Sequence, residues 1–320
     1  MVAAGWIYIV TLAFAQTTGE FVRLPPIDDS LALPSFAGHE IQPVFYPEFG
    51  LPQPTAPPPS PTLAVEDAQL PATRFTAAWL PALGGQAFGM TDLDANHTFL
   101  FGYDDLPPLY ITPGLGLHLW SGPTGLDLPP RVYDAYLDFH WRPLDGDRFG
   151  LSLGITPGLY GDFESPDGRT FQVTGWGLGN WRIGPAWNLL GGLAYVRQLR
   201  SHFLPVGGLI WTPNDETRLE LVIPKPRLVR RYRSDESSSA FWYLAGQLGG
   251  GAWAVADTPT INVLVSYSDL RLLVGLESIY VSGREWNLET GYVFARDLAI
   301  DDNIASSVSD TIVLQMSLAY

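Results

Sequence analysis

The chain has 320 residues, no cysteine and a formal net charge of −15. An acidic surface repels a phosphate backbone, which argues against nucleic acid as a partner, and without thiols there is neither a disulfide frame nor a thiolate metal site. Mean hydropathy is +0.08 and no apolar run is long enough to span a bilayer as a helix. That excludes a helical membrane protein but leaves open both a soluble all-β protein and a membrane barrel, in which only alternate residues meet lipid.

In chain order, Trp6 to Phe14 is a short apolar run, and Ala13-Phe14-Ala15 forms an A-x-A cleavage site, so residues 1–15 read as a signal peptide. No Lys or Arg precedes the run, a departure from the usual pattern. Residues 16–70 read as a Pro-rich disordered periplasmic linker: 11 of the 28 prolines fall between Leu24 and Thr62. Proline fixes φ and removes a donor, so ladder strands are not expected there.

From residue 71 to the end the texture is constant. Short alternating segments are separated by Gly, Pro, Asp, Asn and Ser clusters, the pattern of antiparallel strands. Expected strands are 73–80, 109–120, 131–142, 147–161, 170–182, 186–198, 203–212, 216–223, 240–255, 263–280, 284–296 and 310–320, with Phe99 to Tyr103 as a further short strand or loop. The basic cluster Lys225, Arg227, Arg230, Arg231 and Arg233 reads as a solvated loop or a ring facing lipid phosphates. Ile111-Thr112-Pro113-Gly114-Leu115 recurs as Ile155-Thr156-Pro157-Gly158-Leu159, and a Pro-Gly pair within a strand is expected to mark a bend or bulge.

The two faces of these strands differ. Tyr133, Ala135, Leu137, Phe139 and Trp141 alternate with Asp134, Tyr136, Asp138, His140 and Arg142. Leu219, Leu221 and Ile223 alternate with Arg218 and Glu220. Leu270, Leu272, Val274 and Leu276 are set against Arg271 and Glu277, and Trp286, Leu288, Thr290, Tyr292 and Phe294 against Glu285 and Glu289. Aromatics at the ends of the greasy rows (Tyr133, Trp141, Trp286, Phe294) suit the girdles of a barrel at the two membrane interfaces. The opposite faces mix acids and arginines, as a lumen would, so Asp134, Asp138, His140, Arg142, Arg218, Glu220, Arg271, Glu277, Glu285 and Glu289 are the expected lumen-facing residues.

At the end of the chain Ile312, Leu314, Met316, Leu318 and Tyr320 alternate with Val313, Gln315, Ser317 and Ala319. Composition gives such a pattern by chance roughly half a percent of the time. It resembles the C-terminal strand of bacterial outer-membrane proteins, which the barrel assembly machinery reads by its terminal aromatic and alternate apolar residues. Other segments resemble a planctomycete family of outer-membrane barrels of unknown function. They are Pro205-Val206-Gly207-Gly208-Leu209-Ile210-Trp211-Thr212-Pro213-Asn214, Arg218 to Pro226, Gly249 to Val255, Tyr267 to Arg271 and Gly291 to Phe294. That resemblance implies a fold and a location, not a reaction.

Chemistry-bearing motifs are missing. The five histidines have no metal-ligand spacing, and neither G-x-S-x-G nor a phosphate-cradling loop occurs. His140, with Asp134 and Asp138 on its face, reads as part of a lumen hydrogen-bond network. No catalytic, cofactor or metal residue is expected.

The expectation is an all-β protein: a single closed antiparallel transmembrane β-barrel of about 12 strands (10 to 14) over residues 71–320, with the Pro-rich extension before it. It would lie in the bacterial outer membrane, contact outer-membrane lipid and the assembly machinery, and serve solute passage or envelope structure without enzymatic activity. A barrel-borne hydrolase of lipase or protease type and a secreted soluble carbohydrate-binding protein are the alternatives.

Overall fold

The computed structural model describes Val44–Phe45, Pro52–Gln53 and residues 73–320, apart from 102–106, 124–125, 147, 165–166, 197–202, 259–260 and 302–303. The expected signal peptide and most of the linker lie outside the described residues. Within the linker one expectation is corrected: Val44–Phe45 pairs antiparallel with Pro52–Gln53, with the proline opening its short strand, where a missing N–H costs least.

Residues 73–320 form a closed antiparallel barrel of 14 strands, with no helix among the described residues. In chain order these are β1 (Thr73–Leu80), β2 (Gly89–His97, continued by Phe99–Phe101), β3 (Leu109–Ser121), β4 (Arg131–Asp145), β5 (Phe149–Gly161) and β6 (Phe171–Gly184). There follow β7 (Trp187–Tyr195), β8 (Phe203–Asn214), β9 (Thr217–Ile223), β10 (Arg227–Ser234), β11 (Ser238–Thr258), β12 (Ile261–Tyr280), β13 (Glu285–Ile300) and β14 (Ile304–Val308, continued by Thr311–Ala319). Each strand pairs with its neighbours in sequence, and β14 closes the sheet on β1, Leu318 opposite Phe75. The seam is completed by Thr73 N to Tyr320 O (2.9 Å) and Tyr320 N to Thr73 O (3.0 Å).

The count of 14 is the upper end of the expected 10 to 14; the expected strands omit Gly89–His97 of β2, whose continuation Phe99–Phe101 falls within the expected short strand or loop, and all of β10. In β2, Asp92, Asp94 and Asn96 are turn-forming residue types, and Leu93 alone marks the outer row as greasy. In β10, four arginines among eight residues imitate a solvated loop. The tertiary structure makes both into strands because part of each polar row, Asp92 and Asp94 in β2 and Arg227 in β10, has an interior to enter.

Closure follows from the alternation. Outward residues such as Leu115 (67% exposed), Trp79, Leu193, Leu221 and Ile312 form apolar rows over the outside, while the residues between them are buried or half-buried. A one-residue slip would exchange the two sets, so the pattern fixes the register. β14 shows it most cleanly: Ile312, Leu314, Met316 and Leu318 are exposed, and Val313, Gln315, Ser317 and Ala319 are buried.

The end of the barrel that carries Thr73 and Tyr320 is here the near end. Its turns 146–148, 185–186, 215–216, 235–237 and 281–284 are short. At the far end β11, β12 and β13 run on past the turn between β9 and β10, since β10 pairs with β11 only as far as Arg227 opposite Ala245. Beyond that level β11 crosses to the opposite wall, where Ala254 forms a parallel pair with Gly161 at the end of β5. The far mouth is filled by a buried apolar cluster of Leu80, Phe88, Met90, Trp120, Val132, Trp253, Val255, Val265, Tyr267, Leu298 and Val308. A smaller cluster, Trp176, Ala194, Val196 and Val206, fills the space within β6 to β8.

The Pro-Gly echo does not produce the expected bulge. The register of β3 with β4 and of β4 with β5 runs past it unshifted. Its glycines instead make room for rings: a Cβ on Gly114 would lie 2.1 Å from the ring of Tyr136, and one on Gly158 would lie 2.6 Å from that of Tyr160.

The barrel interior as candidate functional site

The ten residues expected to face the lumen all have buried or half-buried side chains on the inner face. They do not form one site. The structure sorts them, with partners the sequence did not suggest, into two charged groups on successive stretches of the wall and an aromatic group.

On β2 to β4 the focus is His118. Its Nδ1 lies 2.7 Å from Asp92 Oδ1 and its Nε2 lies 2.9 Å from Asp134 Oδ2. With both acids ionised, both ring nitrogens must donate, so the imidazole fits as a bridge between two acceptors. Asp134 also accepts the Trp253 indole N–H at 2.8 Å, from β11. Tyr136 donates its hydroxyl to Asp94 (3.0 Å) and receives Asn96 Nδ2 (3.3 Å), while Asp138 accepts from Thr156 Oγ1 at 2.6 Å. His140 packs between the rings of Tyr110 and Trp176, each 5.3 Å away, with the Arg142 guanidinium over Tyr110, and the histidine that bridges Asp92 and Asp134 is His118.

On β9 to β14 and β1 the charges pair. Arg218 Nε lies 2.7 Å from Glu220 Oε1, with residue exposures of 1% and 0%. Arg227 meets Glu277 at 3.3 Å and lies 4.2 Å above the ring of Tyr243. Tyr243 in turn donates to Glu289 Oε1 at 2.6 Å, and Lys225 approaches the same oxygen at 3.7 Å. Arg74 reaches Glu285 at 3.3 Å, and Arg271 grips Asp269 through two parallel bonds of 2.9 and 3.1 Å. The reading of the basic cluster is therefore corrected for two members: Lys225 and Arg227 are buried ion-pair partners, while Arg230 and Arg233 are exposed. Their position on the inner face of a short strand and its turn decides this, not their charge.

The remaining sequence-derived residues lie on the outside. Tyr133, stacked on Phe163, and Phe294, stacked on Tyr292, belong to the far half, and Trp141 and Trp286 to the near half. Tyr320 is exposed and stacks on Phe75 at 6.1 Å. Pro113 and Pro157 line an outer groove of about 730 Å³ with Ala95, Leu115, Ala135 and Leu137.

The sequence reading missed Asp92, His118, Tyr243 and Trp253. A period-two signal existed for Asp92, which alternates with Thr91 and Leu93. His118 likewise alternates with Leu117 and Leu119, but no signal in the sequence names the partners of any of these residues, because they lie on other strands.

Among the described residues, no group of three or more His, Asp or Glu is arranged to hold a metal ion. What the arrangement offers is an interior of fixed charge: acids joined through His118, Tyr136 and Thr156 on β2 to β5, and acid–base pairs among β9, β10, β12, β13 and β1.

A closed antiparallel barrel, apolar outside and charged inside, is the architecture of bacterial outer-membrane barrels. Two solved barrels of that class are similar to this chain. LpxR from Salmonella typhimurium is 8% identical, with a TM-score of 0.39, over 77% of this chain and 99% of its own. An outer membrane channel from Pseudomonas putida F1 is 12% identical, with a TM-score of 0.39, over 81% of this chain and 98% of its own. No family model and no curated protein matches the chain, so the resemblance to a planctomycete family rests on its sequence segments alone. One expectation is corrected by this comparison. The expectation of a chain without enzymatic activity does not stand, since a barrel fold of this kind does not set the chain apart from enzymes. At this level of similarity neither protein's activity transfers to the chain.

Proposed function

We propose that the chain resides in the bacterial outer membrane and passes small polar solutes through its charged interior. The observation that supports this reading is the inner face itself, which carries ionisable side chains on most of its strands. A membrane anchor has no need of them, because burying charge costs more than burying apolar groups of the same volume.

On this reading the outer rows face lipid, the aromatic rows lie at the two headgroup levels, and the near end with its short turns is periplasmic. The row from Ile312 to Tyr320 is then the signal read by the barrel assembly machinery. Fixed charges in a narrow bore set preference among ions, as rings of charge do in pores.

Purified protein reconstituted into a planar bilayer tests the reading. Discrete currents are expected, with an ion preference that moves towards anions in Asp94→Asn and Asp138→Asn. Folded protein, verified by its heat-modifiable gel mobility, that gives no current at any voltage would refute passage.

A further inference from the structure

We infer that the far-end parts of β11, β12 and β13 form a hinged flap that closes the barrel interior and swings off it; as the gate of a solute path, it rests on the reading above. Four observations carry it.

The first is a fold line. Gly250, within Gly249-Gly250-Gly251, has φ +131°, a left-handed conformation that glycine tolerates and other residues resist. It pairs with Ser268, and the register of β12 with β13 shifts between Ser268 and Leu270. Opposite that shift lies Ala295, with φ +50°, and β14 is interrupted between Val308 and Thr311. One level thus carries a left-handed glycine on β11, a register shift between β12 and β13 and the interruption of β14, while the ladder of β11 with β12 runs through it unshifted. Arg296, 0% exposed, braces the line by donating to Tyr267 Oη (2.7 Å), Ser309 O (2.7 Å) and Phe88 O (2.8 Å).

The second is burial. Below the line β12 alternates exposed and buried residues, from Leu270 to Glu277. Above it, Leu264, Val265, Ser266 and Tyr267 are all buried, so both faces of this part are covered. It lies within the mouth, not in the wall.

The third is how the flap is held. Past Ala245, β11 has no ladder with β10, and on the opposite wall it meets β5 in the single pair Ala254–Gly161. Apart from the ladder of β13 to Ile304–Val308, above the interruption of β14, and the apolar packing of the mouth, the flap's other attachments are separate polar contacts, Trp253 to Asp134 among them. Gln172 Nε2 donates to Ala252 O (3.0 Å), Ala256 N to Asp162 Oδ2 (2.8 Å) and Arg169 Nη1 to Asn262 O (2.9 Å). An exposed ion pair joins Arg169 to Asp301 at 3.0 Å. Such contacts break singly, whereas a strand ladder breaks as a unit.

The fourth is strain. Among the described residues, the three non-glycine positions with left-handed backbone are Phe163, Ala295 and Asp301. One lies on the fold line, and two lie where the flap meets the opposite wall. Strained backbone persists where the surroundings hold it, and it gathers at switching segments.

The test uses the latch. The chain has no cysteine, so Arg169→Cys with Asp301→Cys supplies the only thiol pair. In full-length protein in liposomes, spin labels on the pair are expected to report two distance populations. A short bis-thiosulfonate linker should trap the shorter one and lower bilayer current at least tenfold, reversibly with reductant. Gly161→Val should favour the longer distance, because even a Cβ there would come 2.3 Å from Ala254 O. A single short population in both proteins overturns the flap, as does current unchanged by the linker. Two populations that the linker merges, in a protein that never conducts, keep the flap and refute passage.

Discussion

Trp253 on β11 donates its indole N–H to Asp134 on β4 at 2.8 Å, a bond across the barrel between residues 119 apart in sequence. It ties the flap to the same carboxylate that His118 holds from the other side, so plug and charged wall are one network. Trp253→Phe keeps a ring against Trp120 but loses the bond, and should lower stability by about 1 kcal/mol. Asp134→Ala also removes one of the two acid partners of His118 and should cost about 2 to 3 kcal/mol. Once Asp134 is gone, Trp253→Phe should add less than it does alone. A double-mutant cycle on heat-modifiable gel mobility measures this coupling, and strict additivity would refute the link.

Arg218 and Glu220 make a sharper prediction, because both are sealed from solvent. Arg218→Ala leaves an uncompensated carboxylate and should destabilise by about 3 to 5 kcal/mol, whereas the double change Arg218→Met with Glu220→Leu should be close to neutral. Urea unfolding in detergent distinguishes the two. Equal losses in the single and double variants would show that side-chain volume, not charge, matters there.

The outer rows predict a dependence on depth. Val274 pairs with Thr290, which lies on the outer face of β13 between Trp286 and Phe294. If that row faces hydrocarbon, Val274→Arg should cost about 2 to 4 kcal/mol, and Tyr280→Arg at the near rim about 1 or less. The check is folding into liposomes against urea, and equal penalties at the two sites would contradict a lipid-facing wall.

One turn outside the spanning strands predicts a pH effect. Asp235 accepts the Ser237 hydroxyl and backbone N–H and the N–H of Ser238, and these bonds hold its carboxyl down at about 2. A folded pKa below the unfolded one gives a contribution present above the unfolded value of about 3.9 and lost as pH falls through the folded one. The stability gap between the protein and Asp235→Ala should therefore be constant above pH ~5 and shrink towards pH ~2. A gap that widens on acidification would have the wrong sign.

Much of the barrel can be read along single strands. Tyr133 to Trp141 and Ile312 to Tyr320 announce an apolar and a polar face because strand side chains have period two, and that period needs no knowledge of neighbours. Where the outer row is weak, as around Leu93 in β2, or the inner row is basic, as in β10, the same signal fades and the strand count falls short. The Pro-Gly echo was visible as a repeat, but its purpose was not, since Gly114 accommodates a tyrosine of the neighbouring strand.

What the sequence determined by itself was the alternation, and with it the class of fold and the side of the sheet on which Arg218, Glu220, Arg271 and Glu289 lie. Only the tertiary structure decided that His118 bridges Asp92 and Asp134, that Lys225 reaches Glu289, and that β11 leaves its neighbour to meet Gly161. The physical reason is separation. Face is set by residues two apart on one strand, whereas partners inside a barrel come from strands that closure alone brings together.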